Sequence, residues 1–385
     1  MKKNYRKLFP MLNNQIVYLD NAALTQKPIS VINAGSQFYK KYAISTRTSD
    51  SKLGIIVQQK VDLVRQKVAN LLNGSPNEII FTSGTTQSLN LFSLMAKQLL
   101  NVGDEILLSY YNHSSNIIPW LEIAKELKLQ VKFSKNLVAD INHKTKIIAY
   151  SQVTNNIDQH FDSDSIYQKA KQFNAIVVND AAQAIAHEKV SFANSDIIAF
   201  STNKLYGPTG LGILAIKQDI LQSINPVIFG GGSVEKMIDV NSWCKKQTIE
   251  AFEPGTLNLA AIWQFEQALN LIDEITIDEI QKINLELANY LYDRLLTVKG
   301  IEIFSQKGDF ITLFRIKNYA PQDIASYLGH KDIYVRSGNF CSKALSFAEL
   351  ENDYVRVSLA FYNNKNDINK LVKALKEGGD FLSFI

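Results

Sequence analysis

Residues 175–216 read AIVVNDAAQAIAHEKVSFANSDIIAFSTNKLYGPTGLGILAI. Three apolar runs, AIVVN, DIIAFS and LGILAI, are each short and bounded by polar, Gly or Pro residues, which is the pattern of strands buried on both faces. The first run delivers Asp180 at its carboxyl end, and the second delivers Lys204 only 24 positions later. Both therefore fall at the edge where open α/β sheets bind ligands. Gly207, Pro208 and Gly210 then fix a tight turn directly after the lysine.

Upstream, the chain alternates in type: strand EIIFTS, a helix from Gln87 to Leu100, strand EILLS, a helix around Trp120 to Leu127, strands QVKF and KIIAYS, and helix SIYQKAKQF. Such alternation predicts an α/β protein with a mostly parallel sheet flanked by helices. Before it, Val57, Val61, Val64, Val68 and Leu71 step by four and three along one helix face that Gly74 and Pro76 stop. After Gly255, helices are expected from Leu259 to about Ile272 and from Ile277 to Val298, followed by short strands and helices as a second α/β unit. The predicted division is a large domain over 17–271 and a small C-terminal domain over 272–385, with 1–16 expected to pack on the latter. A chain of 385 residues exceeds what one core supports.

The balance of 41 basic against 37 acidic residues gives a net charge of +4 with no concentrated field, which argues against nucleic acid as a partner. Only Cys244 and Cys341 are present, too few for a disulfide framework. No apolar stretch reaches the length of a membrane span and the N-terminus lacks a signal-peptide core, so a cytoplasmic protein is expected.

Pyridoxal phosphate demands a lysine for an imine, an acid for its pyridinium nitrogen and a phosphate cradle. Lys204 and Asp180 supply the first two, although an Asp after a strand also caps helices and a lysine in a loop is ordinarily a solvated charge. In FTSGTTQSLNLF, a Gly turn and the hydroxyls of Thr85 and Thr86 open a helix, which suits an anion and equally suits an ordinary N-cap. The Gly-rich P-loop spacing and GxGxxG are both absent. His113, in SYYNHSSNIIPW after strand EILLS, can stack on the cofactor ring or shuttle a proton, or simply bond a nearby carbonyl. Cys341 lies in VRSGNFCSKAL five residues after Arg336, where cations favour the thiolate. Cys244, in NSWCKKQ, also has cationic neighbours, so local charge does not choose between the two. Arg356 inside strand YVRVSLA needs a partner, either a substrate carboxylate or an internal acid.

These segments together resemble the group II, SufS-like cysteine desulfurases of the class V aminotransferase family, from YLDNAA at Tyr18 to the strand around Arg356. FTSGTTQSLNL, HSSNIIPW, NDAAQA, NKLYGPTGLGIL, GGGS, FEPGTLN, VRSGNFCS and RVSLAFYN recur in that order. The resemblance implies the fold type I of pyridoxal-phosphate transferases, with Lys204 as the Schiff-base lysine, Asp180 on the pyridinium and His113 as the stacking ring. It further places Gln183 on the phenolic oxygen, Thr86 and Ser201 on the phosphate, and Asn155 beside cofactor and substrate. Arg356 would grip the substrate carboxylate and Cys341 would accept sulfur from L-cysteine. Thr256 would face the phosphate of a neighbouring subunit, which implies a homodimer, and the sulfur would pass to an iron–sulfur scaffold of the IscU or SufU type.

Several positions depart from the family. Asn203 stands where His usually precedes the lysine, and the RxGHHC pattern reads Arg336-Ser337-Gly338-Asn339-Phe340-Cys341. STRTSDSKLG around Arg47 matches HRGxHxLS poorly, and Asp158-Gln159 replace a common Gly-Thr. Rival readings are a selenocysteine lyase or class V aminotransferase on the same frame, and a pyridoxal-phosphate-binding scaffold without turnover.

Overall fold

The computed structural model describes residues 4–46, 50–348 and 353–378. Seven strands form the central sheet, in the spatial order Ile79–Thr82, Gly212–Ile216, Ile197–Ser201, Ile176–Asp180, Thr145–Ser151, Glu105–Ser109 and Gln130–Ser134. Only Gly212–Ile216 runs against the others, pairing antiparallel with both neighbours. Successive residues of one strand enter different cores, as a two-residue side-chain period requires. Ile197 and Ala199 pack with Leu89, Phe92 and Trp120 on one face, whereas Ile198 and Phe200 pack with Val64, Ile213 and Phe265 on the other. The near-continuous apolar runs of the sequence follow directly from this double burial.

The first face is covered by helices Thr85–Ala96 and Ile118–Leu127, the second by Lys52–Leu71 and Leu259–Ile275. At the edge strand Ile79–Thr82, buried Arg65 and Glu253 form a two-point ion pair with both N···O distances 2.8 Å, and the Phe81 N–H donates to Glu253. This internal acid satisfies a strand donor that would otherwise stand unpaired at a sheet edge.

A second sheet has the order Ile301–Ile303, Ile311–Ile316, Tyr354–Ser358 and Arg336–Gly338. Helices Ile277–Leu295, Pro321–His330 and Lys365–Glu377 enclose its core of Leu291, Phe314, Leu328, Val355 and Leu371. The N-terminal segment touches both units: Arg6 pairs with Asp367 at 2.9 Å, while Phe9 lies against Tyr206, Phe361 and Tyr362. Val17–Tyr18 then pairs with Ile333–Tyr334, and Asp20 bridges Ser358, which brings the LDNAA segment between the two sheets. Among the described residues, no helix is long and apolar enough to cross a membrane.

Candidate active site

At the carboxyl ends of Thr145–Ser151, Ile176–Asp180 and Ile197–Ser201 lies a cleft with about 560 Å³ of empty space, part of it open to solvent. Thr85, Thr86, His113, Asn155, Asp180, Gln183, Ser201 and Lys204 all line it, together with Asn203. Residues separated by more than a hundred positions thus meet because their strands are parallel and end together.

The hydroxyls at the first helix are not used as caps. Gly84 precedes the helix and makes no side-chain cap bond. Ser201 Oγ instead accepts the Thr85 N–H at 2.7 Å and pairs with Thr85 Oγ1 at 2.7 Å, while Thr86 Oγ1 pairs with Ser115 Oγ at 2.8 Å. Gly212 makes this turn possible, since a Cβ there would sit 2.4 Å from Gly84 Cα. The result is a set of hydroxyls and helix N–H groups suited to a phosphate.

Asp180 is buried at 4% exposure, and its Oδ1 accepts the Ala182 N–H at 3.1 Å. Burial pushes its carboxyl up, against the pull of Lys204 and that N–H. Burial likewise lowers the Lys204 amine to about 8, with Asp180 opposing and Arg356 assisting. His113 is held neutral, lowered to about 4 by burial and by the charges of Lys204 and Arg356. Its Nδ1 accepts the Ser115 N–H at 3.1 Å, which leaves the ring proton on Nε2. Gln183 is fixed by donating to Ala22 O at 2.8 Å.

The turn that presents Lys204 is clamped from below. Asn203 O accepts from Thr25 Oγ1 at 3.0 Å and from Lys27 Nζ at 2.9 Å, and Thr25 Oγ1 in turn accepts the Tyr206 N–H at 2.9 Å. No role for Thr25 or Lys27 follows from sequence spacing. Burial brings the Lys27 amine down to about 7, but Lys27 does not line the cleft.

Of the two partners expected for Arg356, the structure shows the internal acid, Asp20. Its Nη2 pairs with Asp20 Oδ1 at 2.8 Å, its Nη1 donates to Asn155 O at 3.0 Å, and its buried Nε has no partner among the described residues. Arg336 Nε reaches the other oxygen of Asp20 at 3.0 Å. One acid therefore holds two guanidiniums beside the cleft while a buried donor remains for an incoming carboxylate. Asp20 lies in the quoted YLDNAA motif, but its partner is 336 positions away.

Cys341 is exposed and lies outside the cleft lining, yet its carbonyl accepts from Ser114 N at 2.9 Å and Ser114 Oγ at 2.6 Å, one residue from His113. Cys244 sits in the hairpin of Val234–Asp239 and Ser242–Lys245 and takes no part in these contacts. Thr256 is exposed and does not line the cleft of its own chain. Asp158 joins His160 and Asp309, with His160 Nε2 3.1 Å from Asp309 Oδ1, a contact between the two sheets' units. Arg47 lies outside the described residues.

The lining fits pyridoxal phosphate: an amine with no hydrogen-bond partner among the described residues, a buried acid at a strand end, and a hydroxyl cradle at a helix N-terminus. Capture of an aldehyde needs the neutral amine, so imine formation by the cofactor-free protein is expected to rise with pH through about 8 and then level. Asp180→Asn should move that midpoint down, because the lost carboxylate favours the ammonium. Absorbance of the visible imine band against pH reads both. A midpoint near the ordinary lysine value of 10.5 would mean that burial does not depress this amine.

Comparison with known proteins adds independent findings. The aminotransferase class-V family matches residues 17–371. A probable cysteine desulfurase of Ureaplasma parvum serovar 3 is 33% identical over 390 residues, covering 97% of each chain. Among solved structures, the cysteine desulfurase CsdA of Escherichia coli, in an S-sulfonic acid form, superposes with a TM-score of 0.89 at 28% identity over 96% of each chain. The apo cysteine desulfurase of Thermococcus onnurineus NA1 gives 0.91 at 26% identity over 98% of each.

Proposed function

The chain belongs to the aminotransferase class-V family and is a pyridoxal-phosphate-dependent cysteine desulfurase, and from that premise we propose which of its residues carry the reaction. The cleft in which Lys204, Asp180 and the Thr85, Thr86 and Ser201 hydroxyls meet is the observation that supports the assignment.

When bound, pyridoxal phosphate supplies an electron sink for charge developing at the substrate Cα. Lys204 would hold the cofactor, and its amine, lowered by burial to about 8, would take the Cα proton. Asp180 would hold a proton on the pyridine nitrogen. His113, neutral and fixed by Ser115, would cover the ring, and Gln183 would serve the phenolic oxygen. The substrate carboxylate binds Arg356, whose buried Nε is free, with Asn155 beside it and Arg336 adding charge from the rim. The Cys341 thiolate then attacks the substrate sulfur: a sulfur–sulfur bond forms at Cys341, the carbon–sulfur bond breaks, and the carbon fragment leaves as alanine after protonation.

Thr256 is assigned to the phosphate of a second copy, in a homodimer with shared sites. Its exposure away from the cleft of its own chain supports this, as does the neighbouring apolar surface of Phe229, Met237, Ile238 and Val240, which is 60% or more exposed. The exposed thiol of Cys341 suits delivery to a scaffold protein of iron–sulfur assembly. The test is direct: purified protein with L-cysteine and a thiol reductant should release alanine and sulfide in equal amounts. Alanine at background level would leave only a scaffold that binds the cofactor.

A further inference from the structure

Phe340, the residue before the nucleophile, has a definite place in the fold. Phe340 is buried at 8% exposure among Ala22, Ile311, Leu313 and Tyr354. Its ring centroid lies 4.6 Å from the Arg356 guanidinium carbon. Its carbonyl accepts from Asn155 Nδ2 at 2.7 Å, and Asn155 O is the group that takes Arg356 Nη1. Phe340 and Cys341 both have positive φ, +53° and +60°, a backbone that residues with side chains seldom adopt. Ties on each side sustain it: Asn339 Oδ1 accepts the Cys341 N–H at 3.2 Å, Ser114 holds the Cys341 carbonyl, and Ser342 Oγ bonds Asn156 Nδ2 at 2.6 Å.

Two tasks thus meet in one side chain. A ring over a guanidinium excludes water from one face of the charge, which strengthens that charge's pull on an incoming carboxylate. The same ring, buried between the sheets, fixes the start of a left-handed turn whose next residue is the nucleophile. We propose that Phe340 is a positioning residue that couples the carboxylate-binding Arg356 to the placement of Cys341. The inference rests on the roles given to Arg356 and Cys341 above.

Holoenzyme carrying Phe340→Leu or Phe340→Ala tests it, with the imine band and the melting temperature as checks of folding. Two quantities are read: KM and kcat for L-cysteine, and the rate of Cys341 alkylation by iodoacetamide, located by peptide mapping. Leu keeps a buried apolar anchor but removes the ring face. It should raise KM roughly threefold to fivefold, the size of a partly desolvated cation–π contact, with kcat and alkylation within about twofold of wild type. Ala removes both features, so KM should rise about tenfold and the alkylation rate should change by more than about threefold. An unchanged KM in both variants overturns the guanidinium role, an unchanged alkylation rate in Phe340→Ala overturns the anchoring role, and either result ends the coupling. If Phe340→Ala fails to fold, Phe340→Leu decides alone, because an unchanged KM still overturns the proposal. Alkylation needs no turnover. A wild-type protein that released no alanine would therefore fail the desulfurase assignment without touching the loop measurement.

Discussion

Lys204→Ala is expected to give a folded protein that shows no internal imine band with added pyridoxal phosphate and forms alanine from cysteine at least about a thousandfold more slowly. Two functions are lost together, cofactor attachment and proton transfer at Cα. Stability should not suffer. Burial lowers the folded-state amine from 10.5 to about 8, so in the cofactor-free protein its charge opposes folding. That cost is fully present below about pH 8 and fades as pH rises toward 10.5. The alanine variant without cofactor should therefore melt at the same temperature as wild type or higher at pH 7.

Lys27 sharpens this expectation. Its amine is also lowered by burial, to about 7, and it lies just beneath Asn203. Chemistry of the amine by itself would not choose between the two lysines. Hydrogen bonding does: Lys27 Nζ donates to Asn203 O and to Thr25 O, whereas Lys204 Nζ has no partner among the described residues and lines the cleft. Borohydride reduction of the holoenzyme should tag the Lys204 peptide, and a tag on Lys27 would relocate the site.

The sheet edge was readable because strands buried on both faces are written as unbroken apolar runs, and a parallel sheet sends all their carboxyl ends to one side. Asp180, Lys204 and His113 could be placed there from their offsets after those runs. Side-chain partnerships were not readable in this way. Asp180 does accept the local N–H that a capping Asp would take, and it also faces the cleft, so a choice between cap and ligand was the wrong question. Arg356 likewise has an internal acid and a spare buried donor.

What escaped the sequence depends on contacts between distant segments or on exposed apolar surface. Asp20 follows a two-residue strand and reads locally as a turn residue, yet it holds Arg336 and Arg356 from the other end of the chain. Thr25 and Lys27 act on a carbonyl, which carries no residue signature. The hairpin of Val234–Asp239 and Ser242–Lys245 was not anticipated, because Met237 and Ile238 at 60% and 61% exposure break the apolar-in, polar-out alternation that marks a half-buried strand.

Cys341→Ala is expected to separate sulfur acceptance from cofactor binding. The variant should keep the imine band and its pH dependence, since Cys341 lies outside the cleft lining and none of the cradle bonds involves it. Alanine release from cysteine should fall about a hundredfold or more, and no persulfide should appear on the protein. The reason is geometric: Ser114 holds the Cys341 backbone one residue from His113, at the mouth of the cleft, and Cys244 makes no such contact among the described residues. Cys244→Ala is the matched control and should turn over cysteine at the wild-type rate, because Cys244 is absent from the lining of its own chain's cleft. Both variants carry one thiol, so the pair isolates position from thiol chemistry. If Cys341→Ala released alanine and sulfide unchanged, the cleft would still hold its cofactor, but the exposed thiol would have no part in breaking the carbon–sulfur bond.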